Sequence, residues 1–219
     1  MMLYVCGLDV REFFCAELKD NDATWWKSFL SYVRLEQMQR LKQIADWKRC
    51  VAAGFLEWYG LQCLYGEQMP PKTAIADNGK PYFSEFPGLH YNLSHAGDFV
   101  VAAFSDEPVG IDIAERRECK DSLIRRCLTE TEMGWLKEQV DRNEAFCRLW
   151  AGKESFVKWT GDGLRKDLQQ VEVTLDGAFF VRDLNPGETG GGRWRDFGEG
   201  LSEGVERTSG VFRMCMLWR

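Results

Sequence analysis

The chain has 219 residues, 45% of them hydrophobic, with nine tryptophans and a formal net charge of −6. That apolar content fills one large core or two small ones, which excludes a disordered chain. A net acidic chain also makes a poor general binder of nucleic acid or of a membrane surface, since either usually needs a net basic face.

The opening MLYVCGLDV is apolar and β-prone and predicts a strand. It lacks a basic leader and a long apolar core, and no later window holds 18 uncharged apolar residues, so the expectation is a soluble, cytoplasmic protein. From Trp25 to Tyr65 apolar residues recur at three- and four-residue steps, as in a helical segment. Asp77-Asn78-Gly79 is a turn signal before short strands around Tyr82 and Phe83 and at Leu89 to Leu93. Two continuous apolar strands follow, Phe99 to Phe104 and Val109 to Ile113, across the tight Ser105 to Pro108 link. Helices resume at Ser122 to Leu128, Glu130 to Val140 and Glu144 to Thr160. Val171 to Leu175 and Ala178 to Val181 predict a hairpin around Asp176-Gly177. The glycine-rich stretch from Gly187 to Gly204 reads as a mobile loop before a last strand, Val211 to Trp218. The eight cysteines form no C-x-x-C and read as reduced, mostly buried thiols.

The order strand, helices, strands occurs twice, and Gly7-Leu8-Asp9 echoes Gly110-Ile111-Asp112. The expectation is an α+β fold of two similar, pseudo-twofold halves, 1–108 and 109–219, with a ligand cleft between them.

One carboxylate stands out. Asp112 lies between two isoleucines in an apolar strand, where an unpaired charge costs several kcal/mol. Glu154 and Lys158, four apart on a helix, read alone as an ordinary pair on a solvated face. A divalent cation bridging Asp112 and Glu154 would offset the burial of Asp112, and two carboxylates completed by water and phosphate oxygens suit Mg²⁺. Lys158 would then face charge developing on a phosphate.

Gly110-Ile111-Asp112 taken with Trp150-Ala151-Gly152-Lys153-Glu154-Ser155-Phe156-Val157-Lys158 resembles the paired signature of Sfp-type 4′-phosphopantetheinyl transferases, which are two-half monomers. Asp77 to Tyr82, with its Gly79-Lys80-Pro81, and Tyr91 to Asp98, with its Asn92-Leu93-Ser94-His95, fall in that family's order and at similar spacing. The likeness runs from about Arg34 to Leu164. It implies Mg²⁺-dependent transfer of the phosphopantetheine arm of coenzyme A to a serine of an apo acyl or peptidyl carrier protein, releasing adenosine 3′,5′-bisphosphate. By matching position it implies Asp112 and Glu154 as metal ligands and Lys158 on the pyrophosphate. It further implies Ser94, His95, Lys80, Arg49 and Arg34 as coenzyme A contacts, with His95 on the 3′-phosphate. Residues 1–108 would bind coenzyme A, and 109–219 would hold the metal site and the catalytic groups.

Each residue has a plainer reading. His95 suits a turn or core, and Arg49 a solvated helix face. Ser94 and His95 cannot act as nucleophile and base together, because adjacent side chains of a strand point to opposite faces. Glu132 matches the family's proposed base for the carrier serine, but Thr129-Glu130-Thr131-Glu132 is also a capping box. Ala114 departs from the pattern, since many relatives of this type carry a third acidic ligand there; Glu115 would point away.

The net acidic charge argues against a nucleic-acid or membrane partner, and two halves in one chain imply a monomer. An apolar and basic patch at Arg116, Arg117, Leu123 and Arg126 suits either an acidic carrier helix or solvent. Two rival functions stay open: a non-catalytic coenzyme A or carrier binder, and a pyrophosphate hydrolase that uses water in place of serine.

Overall fold

The computed structural model describes residues 2–17, 25–163, 166–176, 178–184, 189–196 and 212–218. The chain forms two compact units, Met1–Glu107 and Pro108–Arg219, each mixing helices with antiparallel sheet.

In the first unit β1 (Leu3–Asp9) leads directly into α1 (Val10–Glu17), and a short 3₁₀ turn, Trp25–Ser28, precedes α2 (Tyr32–Met38) and α3 (Ile44–Tyr65). A small hairpin of β2 (Thr73–Ile75) and β3 (Pro81–Phe83) comes before β4 (His90–Ala96) and β5 (Phe99–Ser105). The three-stranded sheet has the order β1-β5-β4, antiparallel throughout. The central position of β5 explains its unbroken apolar run: every one of its residues is buried. Helix α3 packs on β5, and at Gly60 the fit leaves no room for a Cβ, which would stand 2.2 Å from the Phe104 ring. Ser31 caps α2 by accepting from the Arg34 backbone N–H, and Gly66, at φ +70, ends α3 in the left-handed region.

The second unit holds β6 (Gly110–Glu115), α4 (Asp121–Cys127), α5 (Glu130–Lys137) and α6 (Arg142–Thr160), then β7 (Val171–Asp176), β8 (Ala178–Asp183), β9 (Thr189–Asp196) and β10 (Phe212–Trp218). The strands form one antiparallel sheet in the order β6-β10-β9-β8-β7. Its core gathers Ile124, Leu128, Leu136, Phe146, Phe156 and Val173. Gly110 is where β6 meets α6: a Cβ there would lie 2.1 Å from the Ser155 carbonyl oxygen and 2.7 Å from the Trp159 nitrogen.

The fold class matches the α+β expectation. The glycine-rich stretch does not match its loop reading in full, because 189–196 is strand β9, paired with Phe179 to Arg182 on one side and Arg213 to Trp218 on the other. Residues 197–204 of that stretch lie outside the described residues, as does Gly177 of the hairpin turn. No helix among the described residues is long and apolar enough to cross a membrane.

Replacing Gly110 by alanine should cost about 3 kcal/mol of stability, since backbone on α6 must move to admit the methyl group. Urea unfolding checks this, with Gly134→Ala, where a Cβ meets nothing within 4 Å, as the control.

Candidate active site

The close approach at Gly110 sets Asp112, two residues along β6, against the face of α6 that carries Glu154 and Lys158. The Lys158 ammonium donates to Asp112 Oδ1 at 2.6 Å and to the Ile111 carbonyl at 3.2 Å. Asp112 is buried, and Lys158 keeps about a quarter of its side chain in solvent. Burial pushes the Glu154 carboxyl pKa up, the neighbouring Asp112 charge pushes the same way, and Lys158 pulls it back. Two acidic groups and one ammonium thus share one small volume, which adds a negative charge that a cation would relieve.

The donor set fits a hard divalent ion that keeps several waters. It is a pair only: among the described residues no group of three or more His, Cys, Asp or Glu side chains is placed for a metal. Ala114 explains why, since it belongs to the apolar cluster with Ile124 and Leu128, while Glu115 is exposed. An open cleft of roughly 460 Å³ reaches Glu154 and is lined also by Leu123, Arg126, Trp150, Val157 and Lys166. Leu123 and Arg126 of the expected patch therefore lie beside Glu154, and Arg116 instead pairs with Asp141 at 2.6 Å.

Glu132, which the resemblance offers as a base, sits in the first turn of α5. Its carboxylate accepts from the backbone N–H of Thr129 and from that of Val173, both at 2.8 Å, and from the Lys153 ammonium at 2.6 Å. The residue is 2% exposed, and both carboxylate oxygens are engaged by groups of the fold. The capping box is present, and it is extended by a buried ion pair. Lys153 is wholly buried and also donates to the Leu168 and Val171 carbonyls. Burial lowers its pKa, and Glu132 raises it. The burial of Lys153 has a signal in the sequence: it stands four residues after Leu149 and three before Phe156, on the apolar face of α6.

In the first unit a cleft of roughly 380 Å³ brings together Arg34, Arg49 and His95, three of the expected coenzyme A contacts, and adds Arg40. Arg34 is held by Glu57, with Nη2 2.7 Å from Oε1, and Glu57 also accepts from the Tyr91 hydroxyl at 3.2 Å. Arg49 pairs with Asp46 and donates to the Gly97 carbonyl at 3.1 Å. Ser94 is buried and His95 exposed, the alternation a strand imposes, and Ser94 does not line this cleft. Lys80 also lies outside it; burial pushes its amine down to about 8. Asp9, the echo of Asp112, is buried and accepts from the Arg11 backbone and guanidinium, so its charge is matched within its own unit.

The second unit thus clusters Asp112, Glu154 and Lys158 where β6 meets α6. Residues 108–197 match the model of the 4′-phosphopantetheinyl transferase superfamily. The chain is similar to 4′-phosphopantetheinyl transferase psf-1 of Bacillus pumilus, 33% identical over 71% of this chain and 69% of the relative. It is likewise similar to Sfp of Bacillus subtilis strain 168, at 30% over 72% of each chain, and to ffp of Bacillus subtilis, at 35% over 68% and 67%. The chain belongs to the 4′-phosphopantetheinyl transferase family and is an enzyme of that type.

Breaking the Glu132 to Lys153 pair from one side should cost about 3–5 kcal/mol, because a buried charge is left uncompensated. Glu132→Gln and Lys153→Met, alone and combined, should show strong coupling in denaturant unfolding, with the double variant losing less than the sum of the singles.

Proposed function

We propose that the enzyme transfers the 4′-phosphopantetheine arm of coenzyme A to a serine hydroxyl of an apo acyl or peptidyl carrier protein, with adenosine 3′,5′-bisphosphate as the second product and Mg²⁺ held by Asp112 and Glu154. The observation that carries this reading is the meeting of Asp112, Glu154 and Lys158 in one family member. Mg²⁺ at that pair would neutralise pyrophosphate oxygens and the charge growing on the leaving phosphate. Asp112 and Glu154 would offer such an ion anionic oxygens from two different elements, β6 and α6. Lys158, four residues from Glu154, contacts the pyrophosphate where negative charge develops. Trp150, Leu123 and Val157 line the cleft at Glu154 with apolar surface suited to the pantetheine chain.

In this reading residues 1–108 bind the nucleotide end, with Arg49 and His95 on its phosphates, and residues 109–219 perform the transfer. Ser94 and Lys80 are further coenzyme A contacts in this reading, although neither lines the first unit's cleft. Glu132 acts as a positioning residue. We further propose a cytoplasmic monomer.

With coenzyme A and Mg²⁺, the purified enzyme should add one phosphopantetheine mass to at least one of a panel of apo carrier proteins, and chelation should stop it. Asp112→Ala and Glu154→Gln should each lower turnover by ~100-fold or more with circular dichroism unchanged. Intact-mass spectrometry reads the outcome, and full activity in both variants would remove the metal assignment. Release of adenosine bisphosphate without any carrier would point to hydrolysis instead.

A further inference from the structure

The link between β6 and α4, Arg116 to Lys120, runs beside the start of α6 and brings one thiol to another. Its position is fixed from both ends. Arg116 pairs with Asp141, the cap of α6, and the Cys119 backbone N–H donates to Asn143 Oδ1 at 3.1 Å. One helical turn past Asn143, Cys147 Sγ donates to the Glu115 carbonyl at 3.3 Å, while Cys119 Sγ donates to the Arg117 carbonyl, also at 3.3 Å. The two sulfurs thus sit on carbonyls of one short stretch of chain, and they meet. Burial pushes the Cys119 thiol up to about 11, the Cys147 sulfur pushes the same way by charge and by a side-chain hydrogen bond, and Arg117 and Arg142 pull it back. Cys119 is half-buried and Cys147 buried, so a reagent reaches the pair from the Cys119 side. The proposed reaction uses neither thiol.

We infer that Cys119 and Cys147 are a modification site, a dithiol that closes to a reversible disulfide on meeting a low-molecular-weight disulfide. Such a bond needs two side chains that already face each other, and thiols in hydrogen-bond contact satisfy this with little movement of β6 or α6. In the first step Cys119 gives up its proton, its sulfur attacks the small disulfide, and one thiol leaves with that proton. In the second, Cys147 gives up its proton and attacks the Cys119 sulfur, releasing the second small thiol. One disulfide breaks, one forms, and two electrons pass from the protein sulfurs to the small thiols. Cys119 lies seven residues past Asp112 and Cys147 seven before Glu154, so the bond joins the two segments that carry the acidic pair. It also closes a loop around α4 and α5, which restricts the unfolded chain far more than the folded one.

The test incubates the reduced full chain with oxidised glutathione at mildly alkaline pH, where more of the Cys119 thiol ionises, then blocks the remaining thiols in denaturant and maps peptides by mass. The expected product is a linked peptide pair holding Cys119 and Cys147, lighter by two hydrogens and separated again by dithiothreitol. Its thermal unfolding midpoint should lie about 5 °C or more above that of the reduced protein. Cys119→Ser should remove both the link and the shift, and Cys147→Ser should stop the reaction at glutathione bound to Cys119. No linked pair in the unsubstituted protein, Cys119 joined to a different cysteine, or a linked form that unfolds at the same or a lower temperature overturns the inference. Should Cys147→Ser fail to fold, the unsubstituted protein and Cys119→Ser decide the matter by themselves.

Discussion

The buried ion pair between Lys153 and Glu132 fixes the part of the molecule on which the site depends. A lysine with no exposed surface is tolerable only when its charge is matched and its protons are all accepted, and here Glu132 and the Leu168 and Val171 carbonyls do both. Those partners lie on α5, in the approach to β7 and on β7 itself, so one ammonium group ties α6 to three neighbours. It also sets the rotation of α6 about its axis. Lys153 and Glu154 are adjacent, about 100° apart around the helix, so holding one inward sends the other to the side where β6 presents Asp112. Gly110 completes the arrangement by letting the strand touch the helix backbone.

The two units manage charge in different ways. In the second, like charges are gathered: Asp112 and Glu154 share a volume with one lysine, a state that a bound cation improves. In the first, charges are cancelled pairwise along the cleft wall, Arg34 by Glu57 between α2 and α3 and Arg49 by Asp46 within α3. The Arg34 to Glu57 pair illustrates the cost of that choice: a cation that family resemblance offers to the ligand is spent first on holding α2 to α3, with Tyr91 of β4 donating to the same carboxylate.

Much of this was legible in the sequence, for physical reasons. FVVAAF and GIDI announce buried strands because an apolar run of that length has few other uses, and the spacing of Glu154 and Lys158 defines one helical face whatever surrounds it. The helices from Ser122 to Thr160 have apolar periodicity, the second and third also have side-chain caps, and the structure reproduces them within a few residues. What was not legible has particular causes. Strand β9 carries three consecutive glycines, which have no side chains to alternate, so only its pairing with β8 and β10 reveals it. Helix α1 follows β1 without a break, and eight residues are too few for a clear period. Glu132 announces its cap in the sequence, but its contacts with Val173 and Lys153 join residues too far along the chain to be read there.

The central claim is that Asp112 and Glu154 form a divalent-cation site that works on the pyrophosphate of coenzyme A. A crystal structure of the enzyme with coenzyme A and Mn²⁺, read by anomalous scattering, tests it most directly. The account predicts a metal peak bonded to one carboxylate oxygen from each of Asp112 and Glu154 and to pyrophosphate oxygens, with the Lys158 ammonium moved from Asp112 to the phosphate. A metal bound elsewhere, or Lys158 still on Asp112 with the pyrophosphate remote from both carboxylates, would contradict it.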